Sequence, residues 1–180
     1  MRRSDLEHLI RAAGDISGEQ ELVVIGSQAV LGQFPDAPVS LLASMEADLY
    51  PLAHPELADK VDGAIGEGSR FHQTHGYYAQ GVGPETAVLP AGWRRRLVRV
   101  ENQNTGGAVG LCLEVHDLAI SKYVAGREKD REFTRELACC GMTDRVTLLH
   151  RLTTTKLDPA MAKAVKARIT RDFSSSSRKH

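Results

Sequence analysis

The sequence predicts an α/β (α+β) protein: a sheet flanked by helices, with a helical C-terminal part. Three observations carry this. "LLASMEADLY" (41–50) alternates with a period of two, which is the side-chain period of a strand. "ELVVIGS" (21–27) is a short apolar run rich in β-branched residues, as a buried strand requires. From residue 116 onward, the segments read as helices in succession. Strands mixed with helices, then helices alone, imply a sheet with helices packed on it.

The elements follow in order. Ser4 and Glu7 form an S-x-x-E capping box, Leu6, Leu9, Ile10 and Ala13 line one face, and Gly14 is expected to end the first helix. The strand at 21–27 finishes at Gly26-Ser27, and "QAVLG" continues as a short helical stretch. After the loop "QFPDAP", Leu41, Ala43, Met45, Ala47 and Leu49 share one strand face; Leu42, Ser44, Glu46, Asp48 and Tyr50 share the other. Pro51 stops that strand, and a helix begins near Pro55 with Leu57, Val61 and Ile65 inward. "YYAQGV", "RRLVRVE" and "VGLCLEV" are the remaining strands, and "NTGG" (104–107) is a hairpin connection. "HDLAISKYVAGREKDREFTRELACC" holds one helix, or two broken at Gly126. "DRVTLLHRL" follows, then "DPAMAKAVKARITRDF" with Asp158 as cap and Pro159 in its first turn. Residues 141–173 therefore read as C-terminal helices packed on or appended to a core at 1–140, and 174–180 as a disordered tail.

Composition narrows the class. The chain has 180 residues, formal net charge zero and three cysteines, Cys112, Cys139 and Cys140. That cysteine count is neither a disulfide framework nor a metal spacing, and it fits a reducing cytoplasm. No apolar run approaches the roughly 20 residues of a membrane span, and "MRRSDLEHLI" turns amphipathic too early for a signal peptide. Charge is uneven, however: residues 151–180 carry eight Lys or Arg against two Asp. A basic end on a neutral chain suits a nucleic-acid partner, or a solvated helix face.

Chemistry concentrates in three places. Glu46 and Asp48 point the same way from one strand, where two ionised carboxylates repel, and either one pKa rises or a cation neutralises them. Mg²⁺ or Mn²⁺ takes one or two protein carboxylates and completes its octahedron with water and phosphate. The alternative is an edge strand with a wet polar face. "VVIGSQAV" ends a strand in Gly26-Ser27 at a helix start, where backbone N–H groups and a hydroxyl can meet phosphate. It is neither a Walker loop nor a G-x-G-x-x-G fingerprint, and a tight turn would also need these residues. "HDLAISKYVAGREKD" (116–130) supplies Lys122, Arg127, Lys129 and Asp130. His72-x-x-His75 sits in an apparent loop without a third ligand and reads as surface histidines. "GWRRRLVR" (92–99) could grip RNA or form an edge strand kept soluble by charge.

In this order the three pieces resemble the DNA polymerase β superfamily, specifically its small AbiEii-type and MenT-like nucleotidyltransferases. Gly26 and Ser27 match the Gly-Ser turn; Ser44, Glu46 and Asp48 match a T-x-D-x-D-like strand; Lys122 and Asp130 match the helical lysine and aspartate. The resemblance implies a polymerase-β-like core over 1–140 that moves a nucleoside monophosphate from an NTP to an acceptor. Glu46 and Asp48 would hold the metal; Gly26, Ser27, Lys122 and Arg127 would bind nucleotide; Lys122 and Asp130 would be catalytic. It further implies an RNA acceptor, the tRNA 3′ end, met by the basic C-terminal region, and an antitoxin partner for a toxin-like enzyme. Three features depart from the pattern. Glu46 stands where Asp is usual, eighteen residues separate Ser27 from Glu46, and the third carboxylate could be Glu101 or Glu114. These departures leave open a non-catalytic nucleotide- or RNA-binding module with the same fold.

Overall fold

In a computed structural model the chain is described for residues 1–176, with side chains through 174. It divides into two compact units. The first comprises Met1–Thr86 and Arg96–Glu114, the second Ala87–Arg95 and Val115–His180.

The first unit is built on a mixed five-stranded sheet. Its strands are β1 (Glu21–Val24), β2 (Glu46–Pro51), β3 (Tyr78–Gly81), β4 (Val98–Val100) and β5 (Val109–Cys112), in the order β3-β2-β1-β5-β4. β1 runs antiparallel to β2 and parallel to β5; β2 runs parallel to β3; β4 and β5 form an antiparallel hairpin. Leu22, Val23 and Val24 are fully buried, so the central strand is covered on both faces. Helix α1 (Arg3–Ser17) packs Leu6, Leu9, Ile10 and Ala13 into this core. Short α2 (Val30–Gln33), α3 (Ala58–Ile65) and α4 (Arg70–His75) complete the unit.

Several boundaries differ from expectation. The first helix starts one residue before Ser4, with the Asp5 carboxylate accepting from the Arg2 backbone N–H. Glu7 instead accepts from Arg3, Asn102 and Asn104, tying the helix to the β4–β5 connection. Gly14 lies inside the helix, where a Cβ would press on the Ala108 Cβ; the helix ends at Gly18, whose left-handed φ of 78° suits glycine. Strand β2 is shorter than the alternation over 41–50 suggests. Leu41 is buried in a 3₁₀ turn, Met45 is 55% exposed, and pairing begins only at Glu46. The reason is local: the Ser44 hydroxyl accepts from the Glu46 backbone N–H and forms a turn that competes with the ladder. His72 and His75 lie on a helix rather than a loop, capped by Ser69, whose hydroxyl accepts from the His72 N–H.

The second unit is helical: α5 (Val115–Ala125), α6 (Glu128–Cys139), α7 (Arg145–Thr153) and α8 (Pro159–Ser176). Segment 116–140 is thus two helices, broken at Gly126 with φ 63°. Asp144 and Asp158 cap α7 and α8 by accepting from the Thr147 and Met161 N–H groups. Of the expected disordered tail, 174–176 end α8 and 177–180 lie outside the described residues. Among the described residues no helix is long and apolar enough to cross a membrane.

Candidate functional site

In the first unit, the chain leaves β1 at Ile25, whose N–H donates to the Asp48 carbonyl at 3.0 Å. Because β1 and β2 are antiparallel, this brings the end of β1 to the beginning of β2. Gly26 is extended (φ −77°, ψ −172°), a conformation open to any residue, so its glycine is required by space. A Cβ at position 26 would fall on the Asp48 carboxylate. The Gly-Ser turn and the acidic strand are therefore pressed into one place, with Ser27 opening a 3₁₀ turn whose third residue, Ala29, donates its N–H to the Gly26 carbonyl. Gln28, next in the turn, is fully buried, and among the described residues neither polar atom of its amide finds a hydrogen-bond partner.

Glu46 and Asp48 are both half-buried and lie on one face of β2. β3 runs alongside in register, pairing Glu46 with Tyr78, and the Tyr78 phenol donates to Glu46 Oε2 at 3.1 Å. Burial, then the Glu46 charge, pushes the Tyr78 phenol up to about 12, so it stays protonated and donates. This contact was invisible in the sequence, because the parallel pairing of β2 with β3 spans the two intervening helices.

These donors suit a hard divalent ion. Two carboxylates face one way, beside a backbone stripped of its Cβ, and the remaining ligand positions would fall to water and phosphate. Among the described residues no cluster of three or more His, Cys, Asp or Glu could hold a metal. The sheet does separate the two candidates for a third acid. Glu101 follows β4 at the opposite end from Glu46, where Arg99 donates to it at 2.9 Å. Glu114 follows β5 at the same end as Gly26, two strands from β2, and the preceding Leu113 N–H donates to the Val24 carbonyl.

In the second unit Lys122, near the end of α5, and Asp130, in the first turn of α6, meet across the Gly126 break. Lys122 Nζ lies 3.4 Å from Asp130 Oδ1, and Arg127 Nε lies 2.7 Å from Oδ2. Asp130 also accepts from the Arg127 backbone N–H, closing the N-terminus of α6. It is only 1% exposed and Lys122 8%. Burial alone would raise the Asp130 pKa, but the Arg127 hydrogen bonds and the Lys122 charge outweigh it and hold the carboxyl below its ordinary range. An anionic carboxylate held by two cations is suited to orienting Lys122 and poorly suited to taking a proton. Beside Lys122, a small pocket is lined by Arg131, Arg135, Arg168 and Arg171. Cys112 is buried, and all three cysteines are free.

The structure thus gathers Gly26, Ser27, Glu46 and Asp48 in the first unit, and Lys122, Arg127 and Asp130 in the second. No curated protein and no solved structure matches the chain significantly. One family model does match, over residues 4–179, and its description is "nucleotidyltransferase of unknown function (DUF6036)". With a match across nearly its whole length, on a mixed sheet whose Gly-Ser turn closes on an acidic strand, the chain belongs to that nucleotidyltransferase family.

Proposed function

We propose that the protein transfers a nucleoside monophosphate from an NTP to an RNA acceptor, releasing pyrophosphate. The observation that supports this reading is the closure of Gly26 on Asp48, which brings the Gly-Ser turn against the acidic strand, where a phosphate seat beside a metal is proposed. Glu46 and Asp48 would hold Mg²⁺ or Mn²⁺, which when bound neutralises charge on the triphosphate and on the reacting phosphoryl group. Gly26 and Ser27 seat phosphate oxygens through backbone N–H groups and the hydroxyl. Lys122, oriented by Asp130, pairs with triphosphate oxygens as a compact charge, and Arg127 adds to nucleotide binding. That both sets of residues serve one reaction is what the resemblance to the AbiEii-type and MenT-like nucleotidyltransferases implies.

An RNA acceptor is favoured by charge. Four arginines line the pocket on α6 and α8, and residues 151–180 carry a net charge of +6. Within RNA, the AbiEii- and MenT-like resemblance points to the tRNA 3′ end, and to a toxin-like enzyme held by an antitoxin. The competing reading, a binding module that has lost the chemistry, is favoured by Glu46 in place of Asp and by the lack of a three-acid cluster among the described residues.

Incubation with each labelled NTP and total RNA tests the proposal. Label is expected in tRNA, and a Glu46→Ala, Asp48→Ala double variant is expected to lose it. Label that survives the double variant would refute the metal seat, and NTP binding without transfer would favour the binding module.

A further inference from the structure

Glu46 stands where the resemblance expects aspartate, and glutamate has one more rotatable bond than aspartate and a broad carboxylate torsion. A metal ligand with that freedom loses more entropy on binding. The neighbourhood of Glu46 supplies a restraint. Tyr78 stands opposite it in the parallel β2–β3 pairing, its backbone N–H donates to the Met45 carbonyl at 3.0 Å, and its phenol donates to Glu46 Oε2 at 3.1 Å. The ring of Tyr78 is itself braced. The His72 imidazole packs on it with centroids 4.6 Å apart, and His72 Nδ1 accepts from the Gly68 N–H at 3.1 Å. His72, which had no function in the sequence reading, thereby becomes the outer member of a His72–Tyr78–Glu46 stack.

We propose that Tyr78 is a positioning residue: its hydroxyl holds the Glu46 carboxylate in a single orientation before the divalent ion arrives, and so fits a glutamate to a place usually filled by aspartate. The inference rests on the proposed role of Glu46 as a metal ligand. Partners of this kind commonly tune both the orientation and the affinity of ligating carboxylates.

The test is Mn²⁺ titration of the full chain, followed by electron paramagnetic resonance, with melting recorded in parallel. Tyr78→Phe keeps the ring on His72 and removes only the hydroxyl. It is expected to weaken Mn²⁺ binding by about 3- to 10-fold, the range for freeing one side chain, with melting close to that of the wild type. In a Glu46→Asp background the same change is expected to have no effect on affinity, because the shorter carboxylate no longer depends on the phenol. Equal affinity of wild type and Tyr78→Phe would overturn the positioning role and leave the metal seat standing. An undiminished effect of Tyr78→Phe in the Glu46→Asp background would also overturn it, since the hydroxyl would then act through something other than Glu46. Absence of Mn²⁺ binding by the wild type would overturn the metal seat and the inference with it.

Discussion

At residue 26, a single added methyl group would collide with the neighbouring acidic strand. The Asp48 carboxylate occupies the space a Cβ would take, although the backbone there would accept any residue. Gly26→Ala must therefore displace either the turn or the acid. Overpacking of this kind costs about 1–3 kcal/mol, and the variant is expected to melt a few degrees lower and to lose metal-dependent nucleotide binding in calorimetry. Asp130 provides a second prediction, with a sign fixed by its environment. Its folded-state pKa lies below the unfolded value, so the unfolded chain takes up protons first as pH falls. The stabilisation is complete above the unfolded pKa, roughly 3.9, and is lost as pH falls through the lower folded value. Asp130→Asn should destabilise the protein at neutral pH by about 3 kcal/mol, the scale for breaking a buried pair. The gap between variant and wild type should narrow in denaturation curves taken progressively below pH 4. A gap that widens in acid would mean that Lys122 and Arg127 do not hold the carboxylate as described.

At the scale of elements, the break at Gly126 sets the geometry of the second unit. Its left-handed φ of 63° turns α5 into α6, and a Cβ there would strike the Arg168 guanidinium, which donates to the Tyr123 carbonyl. Gly126→Ala combines a left-handed penalty of about 1–2 kcal/mol with displacement of Arg168. It should lower the melting temperature and weaken the Lys122–Asp130 contact, seen as a smaller effect of Asp130→Asn in the variant background. The elements also show what periodicity can reveal. Leu6, Leu9, Ile10 and Ala13 face the core as their spacing says, and Asp144 and Asp158 cap the helices they precede. Periodicity misled at 41–45, where alternation continues through a turn held by Ser44, because apolar spacing does not register a side chain bonding to its own backbone. It also missed the helix at His72, six residues long and therefore too short to display a period.

For the whole molecule, the fold class and the paired acids were legible because each is local: two carboxylates at i and i+2, a Gly-Ser at a strand end. What decided the rest was strand order. The sheet sends Glu101 to the far end and leaves Glu114 at the same end as Gly26, and it brings Tyr78 onto Glu46 across 32 residues of sequence. Neither relation is encoded in spacing, since both follow from which strands pair and in which direction. The proposed reaction requires a divalent ion held by Glu46 and Asp48 with the triphosphate against Gly26-Ser27. Its most direct measurement is anomalous diffraction from crystals soaked with Mn²⁺ and each NTP in turn. A peak coordinated by both carboxylates is expected, with phosphate density at the 26–27 turn. Nucleotide bound elsewhere in the molecule, with no peak at these two carboxylates, would contradict it.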